Sequence, residues 1–163
     1  MSFRSSLGVT LPDSKKQKID TFWSKCKNLT DENVSPDRSS LEQLSPVALA
    51  HIGDAVYELY VRNKLLMPPR RIADYHAQVV TQVRAETQAT YLQHLEPHLT
   101  DEEKDILRRG RNAVTHKPRR LSAKIYQQAS SLETLIGYLY LTNCDRLKYL
   151  FTKINITSSV NGI

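Results

Sequence analysis

The sequence predicts an all-α fold, and three observations carry that expectation. From Leu41 onward apolar residues recur at helical spacing, and no stretch alternates apolar and polar residues as a half-buried strand would. Helix start and stop signals fall between the periodic segments. The 163 residues suit one domain plus an appendage, and 40% hydrophobic content can supply its core. Seven prolines and five glycines are too few for a fibrous or disordered chain.

Taken in order, residues 1–40 form an N-terminal extension and linker. Eight serines fall here, and Ser35-Pro36-Asp37-Arg38-Ser39-Ser40 reads as a linker. Within the extension, Ile19, Phe22, Trp23 and Cys26 predict a short amphipathic helix over 13–29. The folded domain is expected over 41–155, with a polar tail at 156–163. Its first long helix starts at Ser45-Pro46, an N-cap with proline at the first helical position, and stops near Leu66 before Met67-Pro68-Pro69. Leu49, Ile52, Val56, Leu59 and Tyr60 are its expected apolar stripe, with Gly53 on that face. A second stretch, about 72–95, carries Ile72, Val79, Val80 and Val83 and breaks near Glu86. Thr100-Asp101-Glu102-Glu103 is a capping box for a helix expected to end at Gly110. Ile125, Ala129, Leu132, Ile136 and Leu139 mark another helix, and Leu147, Leu150, Phe151 and Ile154 the last.

The net charge of +6 is concentrated. Arg108, Arg109, Arg111, Lys117, Arg119 and Arg120 lie within residues 108–120 without one acid, and they equal the whole excess. Such a patch points to a polyanionic partner, although a solvated charge run explains the same composition. Gly110 and Asn112 interrupt the run and would let backbone amides face a phosphate. No apolar stretch approaches the ~18 residues of a membrane span, so no membrane partner is expected. Residues 1–30 lack a secretory h-region, and Cys26 and Cys144 form no CxxC, so the reading is a reducing cytoplasm with a plastid stroma second.

Two carboxylates stand out. Asp54 lies mid-helix in HIGDAVYE beside Gly53, although glycine inside a helix costs about 1 kcal/mol against alanine. Glu133 in SSLETLIGYLYL repeats the arrangement, with Gly137 one turn later. Two helices packed closely at their glycines would converge these acids, and convergent carboxylate oxygens suit Mg²⁺. An acid at a stripe edge is also commonly a surface or ion-pair residue. Glu58, one turn after Asp54, has Arg62 at i+4 and is explained by that pair, with an outer role around Asp54 as the other reading.

LAHIGDAVYELYVR (49–62), RRGRNA (108–113) and SSLETLIGYLYL (130–141), in this order, resemble Mini-ribonuclease III, the compact bacterial and plastid relative of ribonuclease III. The resemblance covers about residues 41–155. It implies an all-α, homodimeric endonuclease domain that cleaves double-stranded RNA with Mg²⁺, for which Mn²⁺ can substitute, leaving 5′-phosphate ends. Its implied substrate is the stem of the 23S ribosomal RNA precursor, with ribosomal particles as further partners. Asp54 matches the family's first-motif aspartate and Glu133 its last-motif glutamate, which makes them the implied catalytic and metal-binding pair. Arg109, Arg111 and Asn112 match the RGRN segment, and with Lys117, Arg119 and Arg120 are the expected RNA-binding residues. Tyr126 has a family counterpart, and with Ser130 and Glu58 it is an outer candidate at the site. His76 and Gln88 fall in a further matching stretch, where core or capping roles outweigh RNA contact. Full-length ribonuclease III carries further acids where this chain has Val47, Ala50 and Ser130, a thinning that Mini-ribonucleases III share. No C-terminal double-stranded-RNA-binding domain is expected.

The expected reaction is metal-assisted phosphodiester hydrolysis, with each protomer cutting one strand. Dimerisation rests on the resemblance, since the apolar stripes could be satisfied within one core. Two other readings compete. A non-catalytic module of the same fold could dock structured RNA or the ribosome. A helical DNA-binding regulator is the other, although the densest basic segment is a Gly/Pro-interrupted loop rather than a recognition helix.

Overall fold

A computed structural model describes residues 38–114 and 122–156. The helix expected over 13–29 and most of the polar tail lie outside these residues. Seven α-helices are present among them: α1 (Arg38–Gln43), α2 (Pro46–Leu65), α3 (Ile72–Val83), α4 (Ala85–Leu95), α5 (Asp101–Asn112), α6 (Ala123–Thr142) and α7 (Cys144–Lys153). A 3₁₀ turn at Glu96–His98 joins α4 to α5, and no strand occurs in the described chain. No helix there is long and apolar enough to cross a membrane.

The caps form where local chemistry places them. Ser45 Oγ accepts from the Ala48 amide at 3.1 Å, with Pro46 opening α2. Thr100 and Glu103 complete the reciprocal capping box, Glu103 N to Thr100 Oγ1 at 3.2 Å and Thr100 N to Glu103 Oε2 at 2.9 Å. Ser122 and Asn143 cap α6 and α7 in the same way. The break expected near Glu86 falls at Arg84, whose ψ of 151° separates α3 from α4.

α6 is the central element. It packs on α2, α4, α5 and α7, and its most extensive contact is with α2. Ala129, Leu132, Ile136 and Leu139 are buried as expected, but so are Ser131, Thr134, Leu135 and Gly137, so the helix is covered nearly all round. Leu147, Leu150, Phe151 and Ile154 are buried along α7 and its end. Phe151 stacks on Tyr60 with ring centroids 4.2 Å apart and abuts Tyr57.

Four expectations need correction. The buried face of α2 is Leu49, Gly53, Tyr57, Tyr60, Val61 and Leu65, while Ile52 and Leu59 are 43% and 42% exposed. α2 has two apolar faces, and α6 covers the one where Gly53 permits close approach. On α3 only Val79 of the expected stripe is fully buried, and Ile72 and Val80 stand in solvent. Gly110 does not end α5, which runs on to Asn112. A Cβ there would lie 2.5 Å from Thr134 Oγ1, so the glycine makes room for α6, and the helical backbone at Gly110 and Asn112 is not an open phosphate cradle. The domain also exceeds 41–155 at both ends, since α1 begins at Arg38 within the supposed linker and Ile156 is buried.

At the α2–α6 crossing the backbones touch. A Cβ on Gly53 would sit 1.7 Å from the carbonyl oxygen of Glu133, and one on Gly137 would sit 2.0 Å from that of Leu49. Helix propensity alone makes Gly53→Ala stabilising by about 1 kcal/mol. Overpacking against backbone reverses the sign, with a loss of about 1–3 kcal/mol or more. Urea denaturation of the Gly53→Ala protein should therefore show a lower midpoint; a raised one would refute the tight crossing.

Candidate active site

The crossing that forces the backbones together also brings the two carboxylates to one cleft. Glu133 is the residue whose carbonyl faces Gly53, and Asp54 is the next residue along α2. The cleft has a volume of about 480 Å³. α2 contributes Val47, Ala50, His51 and Asp54, which share one face at i, i+3, i+4 and i+7. α6 contributes Tyr126, Ser130, Glu133 and Thr134 at matching spacing. Gly110, Ala113 and Val114 close it from the end of α5. Three of the lining positions, Val47, Ala50 and Ser130, are those at which the resemblance noted a missing acid.

The cleft is electrostatically unbalanced. Burial, and then the nearby Asp54 charge, pushes the Glu133 carboxyl up to about 7, against a hydrogen bond from Gln88 that acts the other way. Asp54 is also raised, by burial and by Glu58, while His51 pulls it down. Neither acid is paired with a lysine or arginine in any ion pair of the described residues. A half-buried Glu133 beside an exposed Asp54, with no lysine or arginine ion-paired to either among the described residues, is a recognisable functional arrangement. Among the described residues no third acid, histidine or cysteine completes a three-ligand cluster. Two hard oxygen donors still fit Mg²⁺, which keeps several waters and commonly takes one or two carboxylates together with substrate phosphates.

The remaining expected residues separate clearly. Tyr126 and Ser130 line the cleft. Glu58 receives Arg62 Nε at 2.8 Å, so the i,i+4 pair forms, and its influence on Asp54 is electrostatic. Arg109, Arg111 and Asn112 are exposed on the last turns of α5, beside the cleft rather than in its lining. Lys117, Arg119 and Arg120 lie outside the described residues. His76 is exposed on α3, so a core role for it does not hold. Gln88 is buried and caps α3 through Val83 O, and it also donates to Glu133 Oε1 at 3.1 Å.

Sequence reasoning passed over His51, Thr134 and the Gln88–Glu133 contact. His51 lies one turn before Asp54, a spacing that could have placed it in the cleft. Gln88 shares the buried stripe of α4 with Leu92 and Leu95, and a lone amide among core positions was the signal. Thr134 left no signal, because its place follows from the approach of Gly110.

The raised Glu133 carboxyl sets a pH dependence for the protein in EDTA. Its folded value of about 7 exceeds its ordinary 4.5, so the native state binds the extra proton between them. Stability should then be greatest below about pH 4.5 as far as this group is concerned, and fall as pH rises to about 7. The span is roughly 3 kcal/mol at most, at about 1.4 kcal/mol per unit. Comparing wild type with Glu133→Gln by chemical denaturation isolates it, and parallel profiles across pH 4.5–7 would contradict the burial argument.

Similarities to known proteins agree with this geometry. The Ribonuclease III domain family matches residues 47–143, which contain every described cleft residue except Pro46. The Mini-ribonuclease 3 of Synechocystis sp. is 57% identical over 129 residues, covering 78% of this chain and 90% of that protein. The Mini-ribonuclease 3 of Symbiobacterium thermophilum is 44% identical over 100 residues, covering 60% and 77%. A Fusobacterium nucleatum protein of known crystal structure superposes with a TM-score of 0.63 at 30% identity, covering 68% of this chain and 91% of its own. With both carboxylates on one cleft inside the matched segment, the chain belongs to the ribonuclease III family and, within it, to the Mini-ribonuclease 3 group.

Proposed function

We propose that Asp54 and Glu133 hold a divalent cation, Mg²⁺, for phosphodiester hydrolysis in the double-stranded-RNA endoribonuclease that family membership makes of this chain. The observation that supports the metal site is the pair of raised carboxylates, Glu133 half-buried and Asp54 exposed, that line one cleft with no lysine or arginine ion-paired to either among the described residues. Mn²⁺, with similar oxygen preference, is expected to substitute. When bound, the ion would activate water and stabilise charge on the reacting phosphate.

The chain's own residues supply the rest. Asp54 and Glu133 present carboxylate oxygens, and the α2–α6 crossing holds their backbones at fixed separation. Val47, Ala50 and Ser130 leave room where further acids would add negative charge against an RNA phosphate. Tyr126 and Ser130 bring hydroxyls to the α6 wall, within the cleft but outside the carboxylate pair. Arg109, Arg111 and Asn112 border the cleft on the exposed end of α5 and are proposed to contact RNA phosphates, with Lys117, Arg119 and Arg120 extending the same basic segment. An A-form duplex presents 2′-hydroxyls and phosphates rather than a readable major groove, so recognition rests on shape and charge. The stem of the 23S ribosomal RNA precursor is the proposed natural substrate, free or within ribosomal particles, in the cytoplasm.

A homodimer completes the proposal. Ile52 and Leu59 lie two turns apart on the α2 face that α6 leaves uncovered, and Ile72 and Val80 are exposed on the neighbouring α3. Exposed large apolar side chains on two helices in contact are proposed as the association surface. A second copy is the proposed occupant, because cutting both strands of a duplex calls for two antiparallel sites.

Cleavage of a long RNA duplex tests the chemistry. Wild type with Mg²⁺ should give discrete products, and EDTA should abolish them. Asp54→Asn and Glu133→Gln should each lose more than the roughly 10–100-fold typical of changes one shell further out. RNA binding without cleavage by wild type under every condition would favour a non-catalytic module instead. For the dimer, Leu59→Glu should convert the species seen by light scattering from two chains to one. A wild-type monomer at micromolar concentration would count against that surface.

A further inference from the structure

Gln88 places a buried amide among the apolar core positions of α4. It is 2% exposed, in the first turn of α4, on the stripe completed by Leu92 and Leu95. Its Nε2 donates both hydrogens, to Val83 O at 2.9 Å and to Glu133 Oε1 at 3.1 Å. Val83 O is open to this because the chain breaks at Arg84: the Thr87 and Gln88 amides both turn to Arg84 O. A backbone carbonyl can only accept, so it fixes which end of the amide faces it. Flipping the amide would set oxygen against oxygen at Val83 and again at Glu133. The Gln88 amide is therefore held with its N–H toward the carboxylate, whichever direction the rest of the cleft would prefer.

The consequence falls on the other end. Gln88 Oε1 is buried with no partner, the one such side-chain atom among the described residues. An orphaned buried acceptor costs stability, and an apolar side chain of the same length would avoid that cost while taking the donor from Val83 O and Glu133 Oε1. Packing does not explain the amide, and the Val83 cap alone leaves its second hydrogen unexplained. Glu133 does.

We propose that Gln88 is a positioning residue for the nuclease reaction: anchored by Val83 O at the α3–α4 break, it holds Glu133 Oε1 so that the carboxylate's remaining lone pairs face Asp54 and the cleft. The inference rests on the reading of Glu133 as a metal ligand and deepens it. Gln88 touches neither RNA nor metal in this role. It aims the group that does, as outer partners of metal-binding carboxylates do.

Gln88→Met and Gln88→Glu test this in the full-length protein, the first removing all polar atoms and the second only the donor. Three quantities separate positioning from packing: the melting temperature in EDTA, Mn²⁺ affinity read from the EPR signal of the free ion, and duplex-RNA cleavage over a Mg²⁺ series. Gln88→Met should stay folded and melt close to wild type, because relief of the orphaned Gln88 Oε1 offsets the loss of the donor to Val83 O. Its Mn²⁺ affinity and its kcat at limiting Mg²⁺ should each fall about 10–100-fold. KM for RNA should hold, and excess Mg²⁺ should recover much of the rate. Gln88→Glu should bind Mn²⁺ no better than Gln88→Met. In a Glu133→Gln background, Gln88→Met should weaken Mn²⁺ binding no further, since the side chain being aimed is altered. Wild-type Mn²⁺ affinity in a folded Gln88→Met protein would overturn the inference, as would unfolding of both variants where wild type is folded. Neither result touches the metal reading, because wild type stays active. If wild type neither binds Mn²⁺ nor cleaves, the metal reading falls and this inference falls with it.

Discussion

The backbone contact between α2 and α6 is the constraint on which the rest of the molecule depends. Gly53 and Gly137 each leave space that the other helix's carbonyl occupies, Glu133 O against one and Leu49 O against the other. The contact is reciprocal, so neither helix can rotate or slide without a clash. Asp54 and Glu133 are adjacent to that fixed point, and their approach is inherited from it rather than arranged by flexible side chains. Gly110 extends the same principle to α5, which closes on Thr134 and brings Ala113 and Val114 to the cleft. Three glycines thus draw three helices around one opening, and in each case the surrounding helix tolerates the residue because packing compensates its low propensity.

Two glutamates, Glu103 buried and Glu133 half-buried, show what the fold does with charge. Burial pushes the Glu103 carboxyl up, but hydrogen bonds from Arg146 and Thr100 outweigh it and hold the group below its ordinary range. Arg146 grips both oxygens, at 2.7 and 2.8 Å, and also donates to His98 O at 2.6 Å, tying α7 to the start of α5. Glu133 has no such partner. Among the described residues its side-chain hydrogen bond comes from a neutral amide, and the charge that acts on it is another acid, Asp54. A charge matched inside the chain serves the fold, whereas a charge left unmatched at a cleft calls for a cation from outside.

Much of the architecture was legible locally. Caps at Ser45 and Thr100, the break near Glu86, the α7 stripe and the α6 stripe from Ala129 onward depend on chemistry within a few residues, and each formed, with Ile125 only half-buried. The errors share one cause. Ile52, Leu59, Ile72 and Val80 have helical periodicity but are exposed, because periodicity reveals an apolar face and not which neighbour covers it. Gly110 reads locally as a terminator, yet it is a contact point with a helix some twenty residues further on. Gln88 reads as a capping or core amide, and only the proximity of Glu133, 45 positions away, adds its third role.

The amino-acid sequence by itself determined the helical class, the caps, and through the spacing of GDAVYE, RGRNA and ETLIGYLYL the family and the two acids proposed for its site. These are properties of hydrogen-bonding chemistry and of patterns carried along the chain. The tertiary structure alone decided which face of α2 is buried, that the acids share a cleft with His51 and Thr134, and that Glu133 is raised while Glu103 is lowered. Burial, desolvation and the partner of a side chain are relations between residues distant in sequence, and they have no value until the helices cross.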